Sequence, residues 1–300
     1  MTIVKNLHKI PRKLRWIYVH HSHSINNSDN LIEARIDERY SQYYAKKYQS
    51  FLTNLPKYRH THQYSNKIWW CWLQGEDKAP KLCQACLASI RKNLPDREVI
   101  VITEENFADY VDIPEFILEK YHHGTISHTH FSDILRLELL VKHGGTWIDS
   151  SVLVTEKRPE YFDQDLFMFK NLLKENSAVV SSSWFISAEV ENPILKTTLD
   201  LLHHYWQHNE YLDRYFLFHI LLALATHKYP TDWENVPTFS NVPPHVLQFE
   251  ITKPYSKERF QQICQMSGVH KLTQKADFSK APDNSFYHFI LKTYLPGGKK

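Results

Sequence analysis

The chain has 300 residues, of which 42% are hydrophobic and 23% charged, with a formal net charge of +3. This length can bury a sizeable core in one large domain or two small ones. The small net charge argues against a nucleic-acid partner, and no apolar run reaches the roughly 18 residues that a membrane-spanning helix needs.

The N-terminal segment, residues 1–17, is basic, with five cationic side chains among apolar ones. It lacks the apolar core of a secretory signal, so we expect a cytoplasmic protein. The segment is compatible with docking on anionic lipid at the inner face of the plasma membrane. An ordinary solvated surface is the favoured alternative, because Pro11 interrupts any helix there.

Residues 1–65 are predicted to form a helical extension that packs on a larger domain, residues 66–300. Apolar side chains recur at helical spacing from Asp29 to Leu55. Two groups of histidines lie in this extension, at residues 20–23 and at His60 and His62. Neither group has a carboxylate or cysteine at ligand spacing in the sequence. We therefore interpret both as surface loops.

The stretch 67–155 alternates between strand and helix patterns. Strands are predicted at 67–73, 97–103 and 146–148, and helices at 80–93 and 130–143. Such alternation is typical of a parallel α/β sheet with helices packed on its faces. The remaining predicted elements are strands at 166–170, 179–188 and 246–251, and helices at 192–208, 211–227 and 285–295.

Residues 131–155, FSDILRLELLVKHGGTWIDSSVLVT, are the most informative stretch. Asp133 and Arg136 lie three apart on a predicted helix, hence on one face. A carboxylate beside a guanidinium suits a ligand with many hydroxyl groups. The pair Gly144 and Gly145 permits a tight reversal, after which a strand ends at Asp149. In such sheets ligands bind at the carboxyl ends of the strands.

Asp149 is followed by two hydroxyl side chains, Ser150 and Ser151, which makes an oxygen-rich patch. Hard cations such as Mg²⁺ and Mn²⁺ prefer oxygen ligands. Spacing alone leaves two alternatives open. Asp133 and Arg136 could form a weak surface ion pair, and Asp149 could be a strand-end cap.

The run Ser132-Asp133-x-x-Arg136-x-x-x-Leu140-x-x-x-Gly144-Gly145-x-Trp147-x-Asp149 resembles the signature of glycosyltransferase family 32 and its capsular polysaccharide synthesis relatives. The strand KIWWCWLQG, followed by the helix at Pro80, resembles the nucleotide-binding opening of the same family. Weaker similarities occur at Asp213-x-Tyr215-Phe216-x-x-His219 and at residues 268–272. The similarity spans residues 66–275.

This resemblance implies a glycosyltransferase-A fold: a Rossmann-like, mostly parallel sheet flanked by helices. Residues 67–155 would be its nucleotide-sugar-binding half and residues 156–300 its acceptor-side half. The resemblance also implies a retaining glycosyltransferase of capsular or surface polysaccharide synthesis. The donor would be a nucleoside-diphosphate sugar, with UDP as the expected nucleotide, and the acceptor a lipid-linked or free oligosaccharide. A divalent cation, Mn²⁺ or Mg²⁺, would be the cofactor.

Carried onto this sequence, the resemblance makes Asp133, Arg136 and Asp149 the catalytic residues. An aromatic face stacks on any nucleobase, and Trp72 would do so here. The donor-binding set would be Trp72, Gln74, Gly75, Asp133, Arg136 and Ser150. The metal ligands would be Asp149, Ser151 and His270.

Two features depart from the simplest form of the family. The usual Asp-x-Asp has Ser151 at its third position, and a hydroxyl is a weaker cation ligand than a carboxylate, which is why His270 is the candidate for an additional ligand. Asp213 and His219, on a predicted aromatic-rich helix, are interpreted as acceptor-side or supporting groups. Because one carboxylate is missing, the alternative is a non-catalytic protein of this fold that binds a nucleotide-sugar or a glycan.

Overall fold

The computed structural model describes residues 29–172 and 177–295. The basic segment 1–17 and the histidines at 20–23 lie outside the described residues, so the lipid contact stays a prediction. Among the residues described, no helix combines the length and apolarity needed to cross a bilayer.

The helices agree with most of the sequence predictions. They are α1 (Asp29–Lys47), α2 (Gln49–Asn54), α3 (Lys81–Asn93), α4 (Glu115–His122), α5 (His128–His143), α6 (Pro193–His208), α7 (Leu217–Lys228), α8 (Pro230–Asn235), α9 (Val246–Glu250), α10 (Lys257–Met266) and α11 (Phe286–Tyr294). The strands are β1 (Lys67–Cys71), β2 (Glu98–Ile102), β3 (Gly145–Ile148), β4 (Val152–Val154), β5 (Leu166–Lys170), β6 (Ser181–Ala188) and β7 (Val269–Lys271).

Two predicted elements are wrong. The predicted strand at 246–251 is helix α9, which continues a helical turn begun at Pro243. A short apolar run fits either structure, and proline favours the first turn of a helix. The predicted helix at 211–227 begins only at Leu217, and Arg214, which precedes it, donates a hydrogen bond to Asp37 of α1.

The central sheet has the strand order β2-β1-β3-β6-β5. Strand β1 is parallel to β2 and β3, whereas β6 is antiparallel to both β3 and β5. Four strands therefore point one way and only β6 is reversed. Strands β4 and β7 form a separate antiparallel pair. This confirms the expected α/β class, a mostly parallel sheet flanked by helices, with a helical extension before it.

Helix α1 is joined to the main core rather than lying apart from it. Its buried side chains Tyr40 and Tyr44, with Tyr48 just beyond its end, belong to the same apolar cluster as the sheet and α7. Arg214 Nε donates to the buried Asp37 Oδ1 at 2.6 Å. The division between residues 1–65 and 66–300 stays a prediction.

The Gly144–Gly145 pair makes the tight entry into β3 that the sequence predicts. Gly145 has φ +90°, a region that side chains with a Cβ avoid. A Cβ placed there would lie 2.5 Å from the carbonyl oxygen of Lys67. That oxygen belongs to the neighbouring strand β1, so it cannot move aside without disturbing the sheet that positions Asp149.

Gly145→Ala is expected to lower the free energy of unfolding by more than about 2 kcal/mol, through backbone strain and this contact. Gly124→Ala is the matched control, since Gly124 has φ +76° but nothing within 4 Å of its Cβ position. The control should lose only about 1 kcal/mol, from strain alone. Urea unfolding of both variants measures the difference, and equal losses would contradict the role given to the Lys67 contact.

Candidate active site

A cluster of charged side chains lies where β3 ends. Asp149 follows that strand, Asp133 and Arg136 come from α5, and Lys271 comes from β7. Helix α5 presents Asp133 and Arg136 on one face because they are three residues apart. Strand β7 reaches the cluster because it pairs with β4, which starts just after Asp149. The sequence predicts three of these four residues.

Asp149 accepts hydrogen bonds on both carboxylate oxygens. Trp147 Nε1 donates to Oδ1 at 2.8 Å, and Arg136 Nη2 lies 3.4 Å from the same oxygen. Lys271 Nζ donates to Oδ2 at 2.8 Å. Burial raises the pKa of Asp149, but Lys271 and Arg136 outweigh it and lower the pKa to about 2. The carboxylate is therefore ionised at neutral pH.

Arg136 is held rigidly beside this carboxylate. Its Nη2 lies 3.2 Å from Asp133 Oδ1, and its Nη1 donates to the carbonyl oxygen of Ser183 at 2.8 Å. The guanidinium carbon lies 5.0 Å from the Trp147 ring centre and 5.6 Å from that of Phe218. A planar guanidinium stacks well between aromatic rings. Arg136 thus links Asp133 to Asp149.

Two histidines face Asp133. Trp206 Nε1 donates to His130 Nε2 at 2.9 Å, so the proton of a neutral His130 is on Nδ1, which lies 3.5 Å from Asp133 Oδ2. His219, on α7, also lies within electrostatic range of Asp133. Burial lowers the pKa of His219 to about 4, so this ring is neutral at neutral pH. The supporting role predicted for His219 stays a prediction.

Asp213 contacts helix α1. It lies in the loop before α7 and accepts a hydrogen bond from Tyr44 of α1 at 2.9 Å. Its backbone N–H donates to Tyr205. These bonds link α1 to the loop before α7, and the acceptor-side interpretation of Asp213 stays a prediction.

The ammonium group of Lys271 lies between Asp149 and Ser151, where the sequence predicts a divalent metal ion. Its ammonium donates to Asp149 Oδ2 at 2.8 Å and to Ser151 Oγ at 2.9 Å. Successive residues on a strand face opposite sides, so His270 is turned the other way. It is fully buried, with Nε2 2.9 Å from Thr155 Oγ1. His270 is thus placed away from Asp149 and Ser151, and the residue of this strand that contacts both of them is Lys271.

The oxygens predicted to bind a divalent cation, those of Asp149 and Ser151, are already engaged by other groups. Both oxygens of Asp149 and the hydroxyl of Ser151 already accept hydrogen bonds from cationic or indole N–H groups. A divalent cation would have to displace the ammonium of Lys271 from between them. As arranged, the predicted ligands fit an ammonium group better than Mn²⁺ or Mg²⁺, which need several oxygen ligands free of other donors.

A cavity of about 660 Å³ opens at the carboxyl ends of β1 and β2. Ligand sites of this volume suit a nucleotide-sized molecule. Gln74 and Gly75, which follow β1, line it, and their predicted contact with the donor stays a prediction. The other lining groups are Leu73, Lys78, Thr103, Glu104, Glu105, Tyr121, His122, Gly124, Ile126, Ser127 and His128.

Trp72 and Ser150 are turned away from this cavity. Trp72 packs with the cluster that contains Ile68, Trp70 and side chains of α3. The period of two along β1 explains this, because Trp72 lies on the same side as Trp70 while Leu73 faces the cavity. Burial raises the pKa of the Cys83 thiol on α3 to about 11, and a hydrogen bond with Ser150 opposes that shift. Neither predicted donor contact is thus placed at the cavity.

The cavity and the charged cluster are neighbours. Burial raises the pKa of Cys71, at the end of β1, to about 12, and the charges of Arg136, Asp149 and Glu104 all act on this thiol. Glu104 lines the cavity and accepts a hydrogen bond from Tyr121 at 2.8 Å. Strand β1 lies between β2 and β3 and is parallel to both, so the cavity and the charged cluster lie at the same edge of the sheet.

Comparisons with known proteins are consistent with the motif. A family model described as "Capsular polysaccharide synthesis protein" matches residues 18–290. The chain is similar to the solved structure "PaToxG Glycosyltransferase" at 15% identity and a TM-score of 0.41, covering 87% of this chain and 98% of that one. It is similar to the solved structure of a transferase mutant with two cysteine-to-serine substitutions at 12% identity and a TM-score of 0.36, covering 69% and 94%. At these TM-scores, neither likeness carries an argument about function. No curated protein matches the chain.

Proposed function

This chain belongs to the capsular polysaccharide synthesis protein family, and we propose that it is a glycosyltransferase that moves a sugar from a nucleoside-diphosphate sugar to a hydroxyl of a glycan acceptor. The observation that supports this most strongly is the position of the cavity. A nucleotide-sized space opens at the carboxyl ends of β1 and β2, at the same edge of the sheet as the cluster of Asp133, Arg136, Asp149 and Lys271 at the end of β3. The acceptor would be a lipid-linked or free oligosaccharide of a capsular or surface polysaccharide.

We place the nucleoside, with UDP as the expected nucleotide, in the cavity. Glu104 and Glu105 can accept hydrogen bonds from ribose hydroxyls, and the exposed amide of Gln74 can pair with the base. The diphosphate then extends toward Lys271 and Arg136, which supply positive charge. The donor sugar meets Asp133, whose carboxylate can accept hydrogen bonds from its hydroxyls.

In the proposed reaction the bond between the anomeric carbon and the diphosphate oxygen breaks, and the acceptor hydroxyl oxygen bonds to that carbon. Negative charge grows on the departing nucleoside diphosphate. Lys271 and Arg136 are already fixed by Asp149, so they can stabilise this charge without reorganising. The acceptor proton passes to the leaving phosphate oxygen.

We propose that the anomeric configuration is retained, through attack on the same face that the diphosphate leaves. Asp133 and Asp149 are both engaged by Arg136, and Asp149 also by Lys271. Carboxylates paired in this way are poor nucleophiles, which disfavours a covalent intermediate on either of them. Proton NMR of the first product formed reports the configuration, and an inverted product would rule out same-face attack.

The predicted Mn²⁺ or Mg²⁺ stays a prediction. In our proposal, Lys271 supplies the charge that such a cation would bring, so no step depends on a metal. Activity is expected to persist after removal of divalent cations with a chelator.

Gln74→Ala is expected to raise KM for the donor about 5- to 10-fold with little change in kcat. A hydrogen bond to the base acts equally in the ground state and the transition state, and its loss is worth about 1–1.5 kcal/mol. Gln74 is exposed at the cavity mouth, so the fold should be unaffected. Gln84→Ala is the control, since Gln84 lies on α3 and bonds only to nearby groups. An unchanged KM in Gln74→Ala would remove Gln74 from the donor site.

A screen of nucleoside-diphosphate sugars, with and without Mn²⁺, tests the proposed function. Release of nucleoside diphosphate from one donor would support it and identify the base and sugar together. Binding of a donor without turnover, in the presence of oligosaccharide acceptors, would instead favour a non-catalytic binding protein. The second candidate, a non-catalytic binding protein, is supported by one observation. Both carboxylate oxygens of Asp149 and the hydroxyl oxygen of Ser151 already accept hydrogen bonds, so they are not free to bind a catalytic cation.

A further inference from the structure

A second polar cluster lies at the amino ends of the parallel strands, the edge of the sheet opposite to the one with the cavity. Asp165 immediately precedes β5 and Glu189 immediately follows β6. Strand β5 runs in the same direction as β1 to β3, so its start lies at the edge where those strands begin, whereas the candidate active site lies where they end. His60, from the segment between α2 and β1, and Asp232, from α8, complete the cluster.

The cluster has the spacing of a metal site. His60 Nδ1 bonds to Glu189 Oε1 and lies 3.9 Å from Asp165 Oδ2. The ligand atoms of His60, Asp165 and Glu189 all lie within 4.8 Å of one another. Ligands about 2.0–2.2 Å from a tetrahedral zinc ion are about 3.3 Å apart. Small side-chain rotations would therefore bring all three onto one ion.

The surroundings of these ligands are also those of a metal site. His60 Nε2 lies 3.4 Å from Asp232 Oδ2, and a metal-binding histidine typically donates its second N–H to a carboxylate. Glu189 is fully buried, and its Oε2 accepts the backbone N–H groups of Thr61 at 3.0 Å and His62 at 2.5 Å. His62 has φ +52°, a strained conformation that aims its N–H at Glu189.

The charges of the cluster do not balance without a bound cation or proton. Asp165, Glu189 and Asp232 are three carboxylates, and within the described chain their cationic ion-pair partners are His60 and His62 alone. Among the described residues no lysine or arginine pairs with the buried Glu189, and a buried carboxylate without such a partner is costly. A divalent ion removes this imbalance while using the imidazole in its neutral form.

We propose that His60, Asp165 and Glu189 form a site for a divalent transition metal, with Zn²⁺ the best-matched ion. One nitrogen and two carboxylate ligands suit zinc rather than Ca²⁺ or Mg²⁺, which favour oxygen ligands alone. His62, whose Nδ1 lies 3.0 Å from Asp165 Oδ1, or a water molecule fills the fourth position. The ion would fasten the segment that follows α2 to the edge of the sheet, independently of the reaction proposed above.

Zinc titration of the full chain, without a polyhistidine tag and after chelator treatment, tests this site. Isothermal calorimetry with Zn²⁺ alone is expected to give a binding event that Asp165→Asn weakens about 10- to 100-fold. Asp165 is 40% exposed in its side chain, so this variant should fold. His203→Ala is the matched control, because His203 pairs at 2.8 Å with Glu138 but forms no group of three ligands with other residues that the structure describes.

Thermal unfolding supplies a second measurement. Zn²⁺ is expected to raise the unfolding temperature of the wild type, of His203→Ala and of Asp149→Asn, but not of Asp165→Asn. The chain has 19 histidines, so zinc bound elsewhere must be separated from zinc at this site. Equal affinity in Asp165→Asn and the wild type, or no zinc-dependent shift in the wild type, would overturn the proposal and leave a proton on His60 as the balancing charge.

Discussion

Asp149→Asn is expected to lower the rate of sugar transfer about 10³-fold. Asparagine keeps the shape of aspartate but carries no charge, so Lys271 and Arg136 lose the anion that fixes them at the diphosphate. The expected loss is in kcat, because the fixed charges act on the negative charge that grows in the transition state. Release of nucleoside diphosphate from the donor, followed in a coupled assay, measures it.

Asp96→Asn is the matched control for this variant. Asp96 also pairs with a lysine, Lys157, at 2.5 Å, but on the exposed surface, where such a pair contributes little. It should retain full activity. Thermal unfolding separates a loss of chemistry from a loss of fold in Asp149→Asn. A folded Asp149→Asn protein with wild-type kcat would refute the role given to Asp149.

Lys271→Met is expected to lower kcat about 10²-fold, because the departing diphosphate loses one fixed positive charge. Methionine replaces the aliphatic part of lysine without its ammonium. In our account, Mn²⁺ does not restore the activity of this variant. Lys157→Met, which removes a lysine from a surface ion pair, is the control and should behave as wild type.

Recovery of Lys271→Met activity in Mn²⁺ would contradict this account. Lys271→Met leaves Asp149 Oδ2 and Ser151 Oγ free of their ammonium partner. Full recovery of activity with Mn²⁺ would mean that these oxygens bind a catalytic cation. The cation predicted from the sequence would then be correct, and Lys271 would have no catalytic role of its own.

Local patterns predict the part of the site that is contiguous in the sequence. Helical spacing places Asp133 and Arg136 on one face, and the glycine pair starts the strand that delivers Asp149. These features depend on interactions within about 20 residues, which periodicity and turn chemistry reveal. The parallel direction of strands β1 to β3 follows from the same alternation of strand and helix, whereas their order does not.

The remaining features depend on contacts between distant residues. Lys271 is 122 residues from Asp149, and only the pairing of β4 with β7 brings them together. The family resemblance assigns Trp72 to the donor, whereas strand alternation turns it toward α3. The sequence suggests a surface loop at His60 because the carboxylate partner of this histidine, Glu189, lies 129 positions later. Spacing along the chain carries no information about such pairs.

A crystal structure of the protein with the nucleoside diphosphate released from its donor tests the central claim most directly. We predict the base in the cavity beside Gln74 and Glu104, and the diphosphate within hydrogen-bonding distance of Lys271 and Arg136. A nucleotide bound elsewhere on the protein, with this cavity empty, would contradict the account.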